Sequence, residues 1–218
     1  MEVLRYLREQ HCPWGKRCYQ EAAAGGQLET LQWLQASDCP SCEEEPGCDG
    51  RSRIAGAAAQ FGHLNVLKWL QANGYILDES VCAYAAKGNQ LETLKWLFAN
   101  GCPCNEETCA SAAENGHIEV LEYAMAEGVA CGAHTCQSVA STGTLDMLKW
   151  LRERGIQWNS GTLYASHRGP VEMFWWAVEN GCPGRELFMQ GPDGSIFCED
   201  TSDFGSDVGS DLGELMSI

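Results

Sequence analysis

Cysteines are the residues of this sequence with the most chemical potential, since thiols bind metal ions, form disulfides and act as nucleophiles. Among the thirteen cysteines, one cluster has spacing typical of metal ligands: Cys39, Cys42 and Cys48. A structural zinc site needs four ligands, usually from two close pairs. The cluster is therefore an incomplete zinc site that His11 or Cys12 could complete. We therefore predict a surface loop without metal, in which Cys39 packs against the core, with the zinc site as the alternative.

Residue patterns known from catalysis are missing. The sequence contains no G-x-S-x-G, no H-E-x-x-H and no glycine-rich phosphate loop followed by Lys and Ser or Thr. Adjacent carboxylates such as Glu106 and Glu107 stand where a helix is expected to begin, and negative charge is favourable there. The sequence therefore predicts a protein that is not an enzyme, with no cofactor and no small-molecule substrate.

An aromatic residue followed by Leu or Ala recurs along the chain. It occurs at Tyr6, Trp33, Trp69, Trp96, Tyr123, Trp150 and Trp176. The spacing is 27 residues, apart from nine inserted residues after Trp33 and one residue deleted after Trp150. A fixed period of this length indicates a repeat protein made of stacked units.

Each unit is predicted to form two short helices. In the clearest unit, Asn105 is placed to cap a helix over 106–115, and a second helix is expected over 118–127. The first has mostly small side chains, which allow close approach of another backbone. The second is apolar on more than one face and therefore needs neighbours on both sides. One unit cannot provide them, so the units must stack.

The units resemble ankyrin repeats. The pattern A-A-x-x-G-H-L-x-x-L-x-x-L-x-x-x-G runs from Ala58 to Gly74 and recurs around Ala112, and the resemblance extends over about residues 1–186. It implies an all-α solenoid of stacked helix-turn-helix repeats that binds proteins, with His63 and His117 hydrogen-bonding the backbone at the turns. The family's usual period is about 33 residues. The shorter period here predicts shortened finger loops in place of the usual β-hairpins.

The repeats also predict what most cysteines do. The sixth position after the aromatic residue holds Cys12, Cys39, Tyr75, Cys102, Val129, Ile156 and Cys182. The eighth holds Trp14, Leu77, Cys104, Cys131 and Trp158, and one first-helix position holds Tyr19, Ala55, Cys82, Cys109 and Cys136. Positions that accept bulky apolar residues favour packing over ligation or disulfide formation. We therefore predict that these cysteines are small hydrophobic residues with free thiols.

Composition divides the chain into a repeat solenoid, 1–190, with an insertion loop at 41–50, and a disordered acidic tail, 191–218, rich in Gly, Ser and Asp. The net charge is −16, and all fourteen basic residues precede residue 186. Such a chain has no electrostatic attraction for nucleic acids or anionic membranes, which leaves protein partners. Phe204 and Leu212 belong to an apolar row at helical spacing in the tail.

The expected binding surface is the concave face lined by the first helices. Ankyrin-like units vary most at the two residues that end the first helix. The candidates there are Gln60, Phe61, Lys87, Glu114, Asn115, Ser141 and Thr142. The alternatives are ordinary solvated turns at these positions, an adaptor that acts mainly through Phe204 and Leu212 of the tail, and a zinc-stabilised structural protein.

The ends of the sequence lead to two further expectations. Residues 1–10 resemble the second helix of a unit that lacks its first helix, so they form either a cap or part of a longer array. They also lack the apolar run of a signal peptide, and the chain has no apolar stretch of transmembrane length. We therefore expect an intracellular protein, in the cytoplasm or alternatively in the nucleus.

Overall fold

A computed structural model describes residues 17–37, 50–142, 144–190 and 196–198. Within these ranges the chain forms twelve α-helices, one 3-10 turn and one short hairpin. The helices are α1 Cys18–Ala24, α2 Leu28–Ala36, α3 Gly50–Gln60, α4 Leu64–Ala72, α5 Glu79–Lys87, α6 Leu91–Ala99, α7 Glu106–Glu114, α8 Ile118–Ala126, α9 Ala133–Thr142, α10 Leu145–Glu153, α11 Ser160–His167 and α12 Val171–Glu179. Odd-numbered helices are the first helices of their units and even-numbered helices are the second helices.

Polar side chains begin several of the first helices. Asp78 accepts a hydrogen bond from the Ser80 amide, 3.1 Å away, at the start of α5. Asn105 does the same for α7, which confirms its predicted role as a cap. Asn159 accepts a hydrogen bond from the Thr162 amide at the start of α11. These bonds satisfy backbone donors that would otherwise have no partner in the first helical turn.

Glycine ends most second helices. Gly74 and Gly101, for example, adopt φ of +79° and +71°, a backbone region that favours residues without a Cβ atom. From α4 to α11, six residues connect each second helix to the next first helix, and no strand is found in these connections. The predicted shortening of the finger loops is therefore confirmed for these units.

The helices form two layers. The first helices contact one another in series from α1 to α11, whereas successive second helices are farther apart. The alanines of the first helices explain this difference, since Ala58, Ala85 and Ala112 are fully buried and allow close backbone approach. A continuous core lies between the layers, and each second helix from α2 to α10 contributes at least two buried apolar side chains to it. One repeated position of these helices contributes Leu31, Leu67, Leu94, Leu121 and Leu148.

The C-terminal side of the stack is covered by a short extension. A 3-10 turn, Arg185–Leu187, leads into β1, Phe188–Gln190, which pairs in antiparallel fashion with β2, Ile196–Cys198. The Phe188 ring lies 5.2 Å from the Phe174 ring, so it covers the apolar side of the last unit. Strand β2 belongs to the segment 191–218 that we predicted to be disordered, and its pairing with β1 provides an ordered partner for those three residues. The rest of that segment lies outside the described residues, and its disorder stays a prediction.

The observed helix pairs follow the predicted period in every described unit. The helix expected over 106–115 is found as α7 and that expected over 118–127 as α8. Residues 1–16 and the insertion loop, up to residue 49, lie outside the described residues. None of the helices in the described part has the length and apolar character needed to cross a membrane.

Circular dichroism should reflect this architecture. We expect a far-ultraviolet spectrum dominated by helix, because the six-residue connections replace the hairpins of longer repeats. Strand content should stay well below the value of about a fifth that is average for globular proteins. A measured strand fraction at or above that average would contradict the short-repeat architecture.

Candidate functional site

The predicted binding residues lie in a row along one edge of the stack. These residues occupy the C-terminal ends of the first helices or the turns that follow them, in successive units from α3 to α9. We call this set the turn row: Gln60, Phe61, Lys87, Glu114, Asn115, Ser141 and Thr142. Its exposed members are Phe61, Lys87, Asn115, Ser141 and Thr142, whereas Gln60 and Glu114 are half-buried.

Hydrogen bonds between units hold the backbone of the turn row in place. His63 Nε2 lies 2.8 Å from the carbonyl oxygen of Ala24, one unit earlier. His117 Nε2 lies 3.1 Å from the carbonyl oxygen of Lys87 in the same way. Both histidines therefore act as the resemblance implied: each connects adjacent turns through its Nε2 atom.

The side chains of the turn row differ in how much they are constrained. Three polar members bond to their own helices. The Ser141 hydroxyl donates to Ser138, the Thr142 hydroxyl donates to Val139, and the Asn115 amide donates to Ser111, over 2.7–2.9 Å. Phe61 exposes 55% of its surface, which is unusual for an aromatic residue and makes it the most prominent apolar group of the row.

The described cysteines concentrate in the middle of the stack. A disulfide joins Cys82, in α5, to Cys104, in the connection after α6, with Cα atoms 5.8 Å apart. The Cys102 sulfur lies 3.6 Å from that of Cys82. The prediction that all cysteines are free thiols is therefore wrong for Cys82 and Cys104. Each of their positions accepts apolar residues in other units, which favoured a packing role, but stacking brings the two positions face to face.

The remaining thiols differ in their protonation. Burial raises the pKa of Cys136 to about 12 and that of Cys182 to about 11. Burial, together with the negative charge of Asp78, raises the pKa of Cys102 to about 12. Cys131 is the exception, because a hydrogen bond from Cys109 lowers its pKa to about 7 against the opposing effect of burial. Three of these four thiols are thus unreactive at neutral pH.

The described residues contain no group of three or more His, Cys, Asp or Glu arranged to hold a metal ion. His167 packs against the rings of Phe174 and Phe188, and burial lowers its pKa. The candidate zinc ligands Cys39, Cys42 and Cys48 lie outside the described residues, as do Phe204 and Leu212 of the tail.

Comparison with solved structures defines the fold. The chain superposes on the human ASB11 ankyrin repeat domain with a TM-score of 0.51 and 20% sequence identity, over 81% of this chain and 87% of that domain. This chain has the ankyrin-repeat fold. No protein-family model matches the sequence. No curated protein matches it either.

Within the ankyrin-repeat fold, the positions of the turn row were predicted from the sequence, whereas the disulfide was not. A usable signal was present, since Cys82 and Cys104 are separated by 22 residues, as are Cys109 and Cys131 in the next unit. Two cysteines that recur together at the same two positions of adjacent repeats indicate that the positions are in contact. Neither position carries this signal alone, because each holds apolar residues in other units.

Proposed function

We propose that this chain is a non-enzymatic protein-binding scaffold that recognises its partner through the turn row. The observation that supports the proposal most is the combination of exposure and variety along a regular backbone. The row presents an aromatic ring, a cation, amides and hydroxyls in succession, and no two units present the same pair. A partner with a non-repetitive surface needs such an arrangement.

The backbone of the row is pre-organised for binding. The histidine bonds to Ala24 and Lys87 connect the turns, and the alanine-rich first helices below them are close-packed. Ordering of loops and side chains is one of the main costs of association, so a row carried on packed helices loses less free energy on binding than mobile loops would.

Phe61 is expected to dominate the binding energy. Aromatic residues are enriched among the few interface positions that contribute most of the affinity, and they act best when a partner removes them from water. Lys87 stands in the next unit along the row and adds a positive charge. The best-fitting partner surface would offer an apolar pocket for Phe61 with an acidic group one repeat away.

The overall charge of the chain also favours protein over nucleic acid as a partner. The formal net charge of −16 repels phosphate backbones and anionic lipids. The locally basic and apolar pair of Phe61 and Lys87 is small compared with the contact needed for a nucleic acid. We therefore extend the proposal to exclude nucleic acids and anionic membranes as partners.

The experiment that tests this proposal compares two matched double variants. A partner is first recovered by proximity labelling and purified, so that binding can be measured between two pure proteins. The test variant combines Phe61→Ala with Lys87→Ala, and the control combines Ile76→Ala with Lys68→Ala. Ile76 exposes 76% of its surface and Lys68 is exposed on a second helix, so each variant removes one exposed apolar group and one cation outside the core.

We expect the test variant to lose about tenfold or more in affinity, as truncation of a central interface residue does, and the control to bind within about threefold of the wild type. Equal loss in both variants, or none in either, would contradict binding through the turn row. A third variant, Phe204→Ala with Leu212→Ala, tests the alternative. Loss of binding confined to that variant would assign recognition to the tail.

A further inference from the structure

Two pairs of cysteines occupy equivalent positions in adjacent repeats. Cys109 follows Cys82 by 27 residues, and Cys131 follows Cys104 by the same interval. The first pair, Cys82 and Cys104, is joined by a disulfide with Cα atoms 5.8 Å apart, within the range that disulfides require. Because the repeats share one backbone arrangement, the second pair has the geometry to form the same bond.

The second pair is present as two thiols in contact. Cys109 and Cys131 are both free thiols, and each shifts the pKa of the other, so the two side chains are neighbours. The two residues differ in accessibility, since Cys109 is fully buried in α7 whereas Cys131 is only half-buried in the connection before α9. A reagent from solution can therefore reach Cys131 but not Cys109.

The surroundings of Cys131 are unlike those of the other described thiols. The Thr135 hydroxyl is fully buried without a hydrogen-bond partner in the structure, and it lowers the pKa of the nearby Cys131 thiol. Gly132 occupies the position at which Asp78 and Asn105 cap their helices, so no side chain at this position covers the start of α9.

We propose that Cys109 and Cys131 form a redox-active dithiol, in which Cys131 reacts with small-molecule disulfides of the glutathione class and Cys109 resolves the product. In the first step the Cys131 thiolate attacks oxidised glutathione, forming a mixed disulfide and releasing one glutathione thiolate. In the second step Cys109 attacks the Cys131 sulfur, and the second glutathione leaves as a thiolate that takes up the proton Cys109 loses. Two protein thiols are oxidised to one disulfide, and one glutathione disulfide is reduced to two thiols.

Protonation supports this division of roles. The hydrogen bond from Cys109 is the largest influence on Cys131 and lowers its pKa, Thr135 also lowers it, and burial and the nearby Glu106 carboxylate oppose them. The same hydrogen bond raises the pKa of Cys109, with burial as the next cause. Cys131 is therefore the thiolate of the pair at neutral pH, and the thiolate is the form that attacks disulfides.

Mass spectrometry of the full-length protein tests the proposal. Fully reduced protein is incubated with oxidised glutathione, remaining thiols are alkylated, and the chain is digested without reductant by a protease that cleaves after glutamate. Cleavage at Glu114 and Glu127 separates Cys109 from Cys131, so a disulfide between them is seen as a linked peptide pair. Fragmentation of the second peptide distinguishes Cys131 from Cys136.

In the wild type we expect the Cys109 and Cys131 peptides to become linked. In Cys109→Ala we expect glutathione to remain attached at Cys131, because the resolving thiol is gone. In Cys131→Ala we expect Cys109 to stay unmodified. The matched control, Cys136→Ala, removes a buried thiol from the neighbouring helix and should leave the link unchanged. In the reduced wild type, iodoacetamide should modify Cys131 faster than Cys136 by a factor on the order of a hundred.

The proposal is overturned if oxidised glutathione forms the Cys82–Cys104 disulfide in the wild type while Cys109 and Cys131 remain unlinked. It is also overturned if Cys109 in Cys131→Ala gains glutathione as readily as Cys131 does in Cys109→Ala. The wild-type measurement decides the central point even if a variant does not fold.

Discussion

Replacing Leu121 by alanine should lower the free energy of unfolding by about 2–5 kcal/mol, the cost typical of truncating a fully buried leucine. Leu121 is fully buried in α8, in the middle of the stack, with a unit packed on each side. The cavity left behind cannot collapse easily, because both neighbouring units hold the surrounding helices. Urea denaturation followed by circular dichroism measures the change.

The repeats themselves indicate that this position requires a large side chain. The equivalent positions hold Leu31, Leu67, Leu94, Leu148 and Phe174, and none holds alanine. Three residues further on, by contrast, both leucine and alanine occur, as Leu97 and Ala124. Alanine therefore occurs naturally at the later position of the repeat but not at the position of Leu121.

The control for Leu121→Ala is Ile76→Ala. It removes the same number of carbon atoms from a side chain that exposes 76% of its surface, so we expect a change within about 0.5 kcal/mol. If the two variants unfold at the same urea concentration, the core between the two helix layers does not carry the stability of the stack.

The fold could be predicted from the sequence because each unit repeats the same few physical signals. Asn105 caps a helix, Gly101 ends the one before it, and the apolar residues within the helices have helical spacing. Repetition of these signals in register removes the ambiguity of any single one. The short hairpin of Phe188–Gln190 and Ile196–Cys198 has no counterpart in the repeats, and the acidic composition beyond residue 190 concealed it.

The candidate sites could be predicted only in part. The turn row follows from the period, since the end of every first helix has a known place in the unit. Contacts between two different positions of the unit follow from the period only where cysteines recur at both. The apolar residues that other units hold at the same positions masked this for the Cys82–Cys104 bond. The protonation of Cys131 depends on Cys109, in another part of the same unit, and on Thr135, in the next helix, and only packing shows that these groups meet.

Gly88 provides the sharpest case in which the structure and the repeat pattern predict opposite results. In other units its position holds Phe61, Asn115 or Thr142, so the pattern alone predicts that Gly88→Ala is harmless. Its φ of −86° is also open to any residue. Where the backbone is compatible, replacing glycine by alanine commonly stabilises a protein by about 0.4–1 kcal/mol.

The structure predicts destabilisation instead. A Cβ atom on Gly88 would lie 1.8 Å from the carbonyl oxygen of Gln60, which is backbone of the preceding unit and cannot rotate away. The two units would have to separate, at a cost of about 1–3 kcal/mol, as for other overpacked sites. Gly25 is the matched control, since it holds the equivalent position with φ of −85° and its nearest atom, the Glu21 oxygen, would be 3.3 Å from the new Cβ.

We therefore expect Gly88→Ala to unfold at a clearly lower urea concentration than the wild type, and Gly25→Ala to unfold close to it. The comparison isolates contact between units, because both changes add one methyl group at the same place in the repeat. Equal stability of the two variants would mean that α3 and α5 pack less tightly than the short distance between Gly88 and Gln60 indicates. The turn row, which contains both Gln60 and Lys87, would then lack the rigid support that makes it a suitable binding surface.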